Sequence, residues 1–279
     1  MATTLNAPFQ NIVAGSRATL GLPVGPTYHG ILLYLASLTK ANLTAIRVRL
    51  NKKIIYETTG ELLDKMNTYK GGAVDDHFLL IDFTEHQSKD IVSELVGVIA
   101  TGAGVTSLMV EIDIAAGATV GADELKSWSM VSAPIVDANP LTNIHTLTMQ
   151  THNLNGAKTW DIELPHGPTS AHIIKRVWLV ESSGAGTITA AECRVNNMPV
   201  LETDKAMNEF LQEHYESIPA AGVYCLDFAM TNHAIHEALM TRDSPDGTKR
   251  VQDLRLKVTT DDAVTVDVYI ESLASFGLL

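Results

Sequence analysis

The side chains that could do chemistry come in a few short patterns. His233, His236 and Glu237 read H-x-x-H-E, two imidazoles one helical turn apart beside a carboxylate, which is close to a zinc-binding helix. The H-E-x-x-H order that sets two ligands and a general base on one face is absent, so this spacing fits zinc loosely. Asp75-Asp76 and Asp261-Asp262 are adjacent carboxylates in expected loops, the oxygen-rich positions that hard cations such as calcium favour. They are the candidate calcium ligands, although neither pair has the alternating spacing of a dedicated calcium loop, and solvated loop charge is the competing reading. Gly102 and Gly104 give G-x-G without a third glycine or a strand-turn-helix context, which argues against a dinucleotide site. No G-x-S-x-G elbow marks a nucleophilic serine, and no H-x-H pair supplies the metal strand of a cupin enzyme. Cys193 and Cys225 lack C-x-x-C spacing and read as two buried free thiols. No catalytic set emerges, so the expectation is a non-enzyme that requires no cofactor, with calcium as the one candidate ion.

Asp82 and Asp227 differ from these because each precedes a phenylalanine at a corresponding place in the two halves of the chain. A repeated structural role is expected, either tying a turn or pairing an arginine, with Arg49 and Arg194 as candidate partners. Most of the scarce aromatic residues, 6% of the chain, sit in apolar strand patterns, as Phe78, Phe83 and Phe228 do, and core packing is their expected role.

The elements that position these residues are mostly strands. Ile46, Val48 and Leu50 alternate with Arg47 and Arg49, and Leu108, Val110, Ile112 and Ile114 alternate with Met109, Glu111 and Asp113. Val266, Val268 and Ile270 alternate likewise with Asp267, Tyr269 and Glu271. Alternation of this kind predicts half-buried antiparallel strands. Turns fall at Gly71-Gly72, Gly102-Ala103-Gly104, Asn155-Gly156, Gly184-Ala185-Gly186 and Pro245-Asp246-Gly247. Two short helices interrupt the strands. Thr58 and Glu61 form a capping-box pattern ahead of Leu62, Leu63 and Met66, and a second helix follows Thr203-Asp204 with Ala206, Met207, Phe210 and Leu211 as its expected apolar stripe.

The order of elements repeats. Leu22-Pro23-Val24-Gly25-Pro26-Thr27 returns as Leu164-Pro165-His166-Gly167-Pro168-Thr169 at an offset of 142. Arg49-Leu50-Asn51 and Glu57-Thr58 return as Arg194-Val195-Asn196 and Glu202-Thr203 at an offset of 145. Leu80-Ile81-Asp82-Phe83 matches Cys225-Leu226-Asp227-Phe228 at 145, and Leu108–Ile112 matches Leu254–Val258 at 146. Four collinear matches at nearly constant offset mean two copies of one domain. Seven or eight strands with one inserted helix in about 140 residues describe a jelly roll. The fold expected is therefore all-β: two tandem eight-stranded jelly rolls, each with one short helix, over residues 1–138 and 139–279, with the boundary between Pro134 and Thr142.

The balance of the whole chain agrees. With 279 residues, 46% of them hydrophobic, the chain can bury two ordinary cores. Twenty basic against 32 acidic residues leave a formal charge of −12, which disfavours direct contact with nucleic acid. The first basic residue is Arg17, so no secretory signal is expected at the start, and the longest apolar interior run, Leu95 to Val110, is glycine-broken and short of the roughly 20 residues a membrane span needs.

Two tandem jelly rolls without a catalytic set suggest a shell-forming protein, and particular residues carry a resemblance. Asn11–Ser16, Leu22–Tyr28, Ile46–Leu50 and Val251–Val258 resemble segments of the major capsid proteins of corticoviruses, part of the double jelly-roll lineage shared with tectiviruses and adenoviruses. The resemblance implies a virion protein of a tailless, internally membraned bacteriophage, made in the bacterial host cytoplasm. It implies pseudo-hexagonal homotrimers that tile an icosahedral shell, meet neighbouring trimers and minor vertex proteins, and lie near an inner membrane. It also implies calcium, and an N-terminal segment near the inner face. Duplication makes the trimer geometrically natural, because three chains present six similar barrels. The alternative is a carbohydrate- or receptor-binding jelly-roll spike.

Overall fold

The computed structural model describes the chain except for Asp90, Ala103, Ala122, Asp123, Arg242 and residues 136–142, 168–171, 234–236, 244–249 and 275–279, and leaves the side chain of His172 undescribed. Two compact units divide at Thr148/Met149. The expected boundary at 138/139, the Pro168-Thr169 end of the first repeat, His236 and the Pro245-Asp246-Gly247 turn lie outside the described residues.

The first unit contains β1 (Ala2–Leu5), β2 (Arg17–Leu22), β3 (Thr27–Leu35), β4 (Leu43–Leu50), β5 (Lys53–Thr58), the helix α1 (Gly60–Tyr69), β6 (Phe78–Asp82), a five-residue helix α2 (Ile91–Leu95), β7 (Ile99–Ala100), β8 (Leu108–Ile114) and β9 (Leu125–Ser132). One sheet runs β1-β9-β3-β6, with β7 also on β3, and the other runs β5-β4-β8-β2. These orders interleave strands distant in sequence, which is the winding of a jelly roll. The apolar alternation falls as expected: Ile46, Val48 and Leu50 on β4 and Leu108, Val110 and Ile112 on β8 are fully buried and lie across from one another in register. Each such side chain contributes about 1.5–3 kcal/mol by leaving water.

Outside that core, the β5-β4-β8-β2 sheet carries a ladder of charge. Arg17 meets Asp113 at 2.6 Å, Arg47 meets Asp113 and Glu57 at 2.6 Å each, and Arg49 meets Glu111 at 2.9 Å. Cross-strand register aligns the pairs, so the outward arginines that the sequence predicts are neutralised rather than free. Besides the expected helix, the first unit has α2, a single short helix that the strand-dominated pattern of the segment did not reveal.

The second unit contains most of β10 (Ile144–Leu154), then β11 (Thr159–Glu163), β12 (His172–Gly184), β13 (Ile188–Val195), β14 (Met198–Asp204), the helix α3 (Lys205–His214), β15 (Val223–Asp227), β16 (Leu239–Met240), β17 (Leu254–Thr260) and β18 (Val264–Ala274). Its sheets run β15-β12-β18-β10 and β11-β17-β13-β14, the same winding strand for strand. Leu179, Ile188, Cys193, Leu226, Leu256, Val258, Val266 and Val268 belong to its core.

The repeated residues occupy equivalent turns. Asn51 and Lys52 have φ of 48° and 72°, and Asn196 and Asn197 have 49° and 66°, so both β4–β5 and β13–β14 turn through two left-handed residues. Both asparagine side chains then reach across to a neighbouring loop. Asn51 Oδ1 accepts from the Thr106 and Ser107 amides and its Nδ2 donates to the Gly104 carbonyl. Asn196 Oδ1 accepts from the Gln252 and Asp253 amides and its Nδ2 donates to the Arg250 carbonyl.

Four expectations change. The cap of α1 is Thr59, whose hydroxyl accepts from the Leu62 amide, because Thr58 is still the last paired residue of β5. The stripe on α3 points outward: Asn208 and Gln212 are its buried residues, held by the Cys225 carbonyl at 2.8 Å each, so Met207 and Phe210 face solvent. Phe78 is 40% exposed and packs on Tyr34 at the surface, while Phe83 is buried. On β18, Tyr269 and Glu271 are buried rather than solvated, because Glu271 is needed by interior cations described below.

Candidate functional site

The candidate metal ligands are placed as follows. Asp75 Oδ1 accepts from the His77 amide just before β6, a local turn, while the carboxyl lines a cavity of about 350 Å³ with Phe78, Leu80, Asp82 and His86. Asp76 borders a separate groove beside Lys65 and His77. Asp261 and Asp262 form the β17–β18 turn, where Asp261 accepts from both the amide and the hydroxyl of Thr187, and Asp262 Oδ1 accepts from the Ala263 amide. The Thr187 hydrogen bonds hold the Asp261 carboxyl below its ordinary pKa. Among the described residues neither pair gathers a third carboxylate, histidine or cysteine ligand atom. Glu237 binds the amide and hydroxyl of Thr231, a structural use of the only carboxylate in the H-x-x-H-E pattern.

Asp82 and Asp227 do tie turns. Asp82 Oδ1 accepts from the Thr84 amide and hydroxyl, and Asp227 Oδ1 from the Ala229 amide. Their second oxygens diverge. Asp82 Oδ2 meets His86 Nδ1 at 3.1 Å, whereas Asp227 Oδ2 accepts from Arg176 Nε at 2.8 Å. Arg49 and Arg194, the partners expected from sequence, pair instead with Glu111 and Glu192 on their own sheets, because they point to the outer faces. Burial raises the Asp82 pKa, but His86, Lys70 and Thr84 together outweigh it and leave the carboxyl below its ordinary value.

Arg176 belongs to a buried network that the sequence does not announce. Its Nη1 and Lys175 Nζ each lie 3.3 Å from Glu271 Oε1, and Trp178 Nε1 donates to Glu271 Oε2 at 2.9 Å. Strand register makes it: Arg176 faces Asp227 on one neighbour and Glu271 on the other, and an irregularity between Ile174 and Arg176 brings Lys175 to the same carboxylate. The two cations and two carboxylates compensate one another within the protein, so removing one partner would leave a buried charge uncompensated. Burial likewise pushes the Cys193 thiol up to about 12, so it carries little thiolate near neutral pH, and Cys225 is also buried and unbridged.

Among the exposed apolar side chains of the described residues, two groups stand out. One is α2 in the first unit, where Ile91 and Val92 are exposed beside a groove lined by Leu95, Val96, Val98 and Ile135. The other is on the second unit, where Met198 (70% exposed) and Val200 on β14 join Met207 and Phe210 (66% exposed) on α3. Exposed apolar side chains gathered on one element are candidates for association. Sequence reading missed them because helical spacing says that a stripe exists, not which way it faces.

The comparisons return viral coat proteins. Residues 3–132 match the family model described as viral coat protein P2 N-terminal domain, and residues 142–275 match that of its C-terminal domain. The chain belongs to the viral coat protein P2 family. Within this family, it is 24% identical over 271 residues to the major capsid protein P2 of Pseudoalteromonas phage PM2, covering 94% of this chain and 92% of that one. The crystal structure of the PM2 protein matches with a TM-score of 0.85 at 19% identity, over 99% of this chain and 97% of the other. A chain from the Sulfolobus turreted icosahedral virus matches at 0.69 and 13% identity, over 99% and 91%, and one from the PBCV-1 capsid at 0.59 and 10%, over 99% and 95%. The double jelly roll is thus the fold of the P2 coat protein seen here. Its two family models fall on the two halves that the internal repeat separates.

Proposed function

We propose that this P2-family chain is the major capsid protein of a virus, a structural subunit of the virion whose activity is self-assembly. The observation that carries the reading is the match of both P2 coat-domain models, in order, onto the two jelly rolls. The alternative of a spike that binds carbohydrate or a receptor draws no such support, since the relative that spans the whole chain is a major capsid protein. In finer terms, the subunit forms homotrimers with a pseudo-hexagonal outline, because two similar units per chain give near-sixfold geometry from threefold symmetry. These trimers tile an icosahedral shell against neighbouring trimers and minor vertex proteins. The charge of −12 supports an internal membrane, rather than bare nucleic acid, beneath the shell of a tailless bacteriophage. The same charge supports a screening role for calcium or salt, with Asp75, Asp76, Asp261 and Asp262 as the candidate calcium positions.

Solution mass tests the reading. Purified full-length chain should have the mass of three chains by light scattering near neutral pH, and in particles it should dominate a stained gel. A monomer at high concentration, or a scarce band in purified particles, overturns the proposal.

A further inference from the structure

The two jelly rolls treat corresponding strand edges differently. In the first unit, β5 has β4 on one side, and on the other the leading residues of β10, where Leu147 bridges in parallel to Tyr56. His145 stands 5.6 Å from the Tyr56 ring, and Ile55 and Tyr56 are fully buried. In the second unit the counterpart of β5 is β14, which ends its sheet with β13 as its strand partner among the described residues. The repeat offset of 145 sets Val200 at the place of Ile55 and Leu201 at that of Tyr56. Yet Val200 is exposed, and so is Met198.

The adjacent helix repeats the contrast. At the same offset of 145, Glu61 and Lys65 of α1 correspond to Ala206 and Phe210 of α3. A charged outer face in one copy has become an apolar one in the other. A strand that ends its sheet, followed by a helix with exposed methionine and phenylalanine, is a template for strand addition.

The strand that fits is also in the chain. By the offset of 142 seen in the loop repeat, β1 is the counterpart of the leading residues of β10, with Leu5 at the place of Leu147. β1 is exposed along its whole length, Leu5 by 64%, and is bound on one side to β9 while its other edge ends the sheet.

We propose that β1 of one copy adds in parallel to the β14 edge of a second copy, Leu5 beside Leu201 and Thr4 beside Val200, as β10 adds to β5. Met198, Met207 and Phe210 are covered by the incoming copy. The contact joins two different surfaces, so it is heterologous and closes only as a ring, as a trimer requires. This rests on the capsid reading and names the surfaces through which copies meet.

Cysteine cross-linking of the full-length chain tests it. In the double variant Thr4→Cys/Val200→Cys, paired strands bring the thiols within disulfide reach, and both native cysteines are buried. Mild oxidation should give covalent dimers and trimers on a non-reducing gel, while each single variant should give neither. A wild-type trimer whose double variant does not cross-link overturns the strand contact and leaves the capsid reading standing. Dimers from either single variant overturn it in favour of like-with-like pairing. A wild-type monomer overturns both readings. As a second measure, Ala206→Glu/Phe210→Lys restores the charged character of α1, so it should keep a native circular-dichroism spectrum and thermal transition as a monomer while losing the trimer. A trimer that persists in this variant, with an unchanged dissociation midpoint, removes α3 from the contact and overturns the proposed surface.

Discussion

Asn196 joins two strands and a loop with one side chain, at a backbone φ of 49° that most residues avoid. Asn196→Ala should cost about 1–3 kcal/mol, combining left-handed strain with lost hydrogen bonds, and Asn196→Gly should cost less because only the hydrogen bonds go. Urea midpoints of the two variants check the order. His86 offers a pH test. Its hydrogen bond to Asp82 raises the His86 pKa, with burial opposing, so the protonated ring is favoured in the fold. That stabilisation is complete below the ordinary histidine value of about 6.5 and is lost as pH rises through the folded value. Asp82 has the opposite sign: its lowered pKa stabilises above the ordinary aspartate range and fails as pH falls through the folded value. Denaturation midpoints at pH 6 and pH 8 should differ more in wild type than in His86→Gln, and equal slopes would refute the coupling. The sequence made Asn51, Asn196, Asp82 and Asp227 visible because they recur. It hid Arg176, Lys175 and Glu271, because their meeting depends on the register of three strands and on an irregularity that no spacing rule anticipates.

At the scale of elements, the strands were the legible part. Alternation at β4 and β8 matched burial at every apolar core position, since one face of each strand meets a core and the other a charged ladder, into which Glu111 is itself buried. The helices were legible in place and not in orientation. α1 buries Leu62, Leu63 and Met66, as spacing predicts, whereas α3 is anchored by amides: Gln212 donates to the Cys225 carbonyl where Asn67, at the same offset of 145, donates to that of Leu80. Polar anchors of this kind carry no hydrophobic signal. Gly60 reveals how tightly α1 is seated, because a Cβ there would lie 2.3 Å from the Lys40 carbonyl oxygen and 2.9 Å from Leu43 Cβ. Gly60→Ala should therefore destabilise the first unit by about 1–3 kcal/mol, the usual range for overpacking, although alanine is the better helix former. A thermal melt that rises in this variant would contradict the packing.

For the whole molecule, duplication was the decisive signal, since four collinear matches gave both the fold and the number of units before any contact was known. Charge then acts on the assembly. In the proposed trimer three chains at −12 bring −36 together, and exposed charges repel over a Debye length of about 8 Å at physiological salt and about 30 Å at 0.01 M. Particles treated with a chelator at low ionic strength should loosen, and monovalent salt alone should restore them, because screening acts on the same repulsion. Light scattering during heating reads both effects; indifference to both treatments would remove charge repulsion from the account. Duplication has one more consequence, visible in Lys65 and Phe210. A barrel encoded once and used six times must present the same helix at every junction, so any change is multiplied sixfold. Encoding it twice on one gene lets mutation reach one helix alone, and the charged Lys65 and apolar Phe210 at corresponding places are the mark of that freedom.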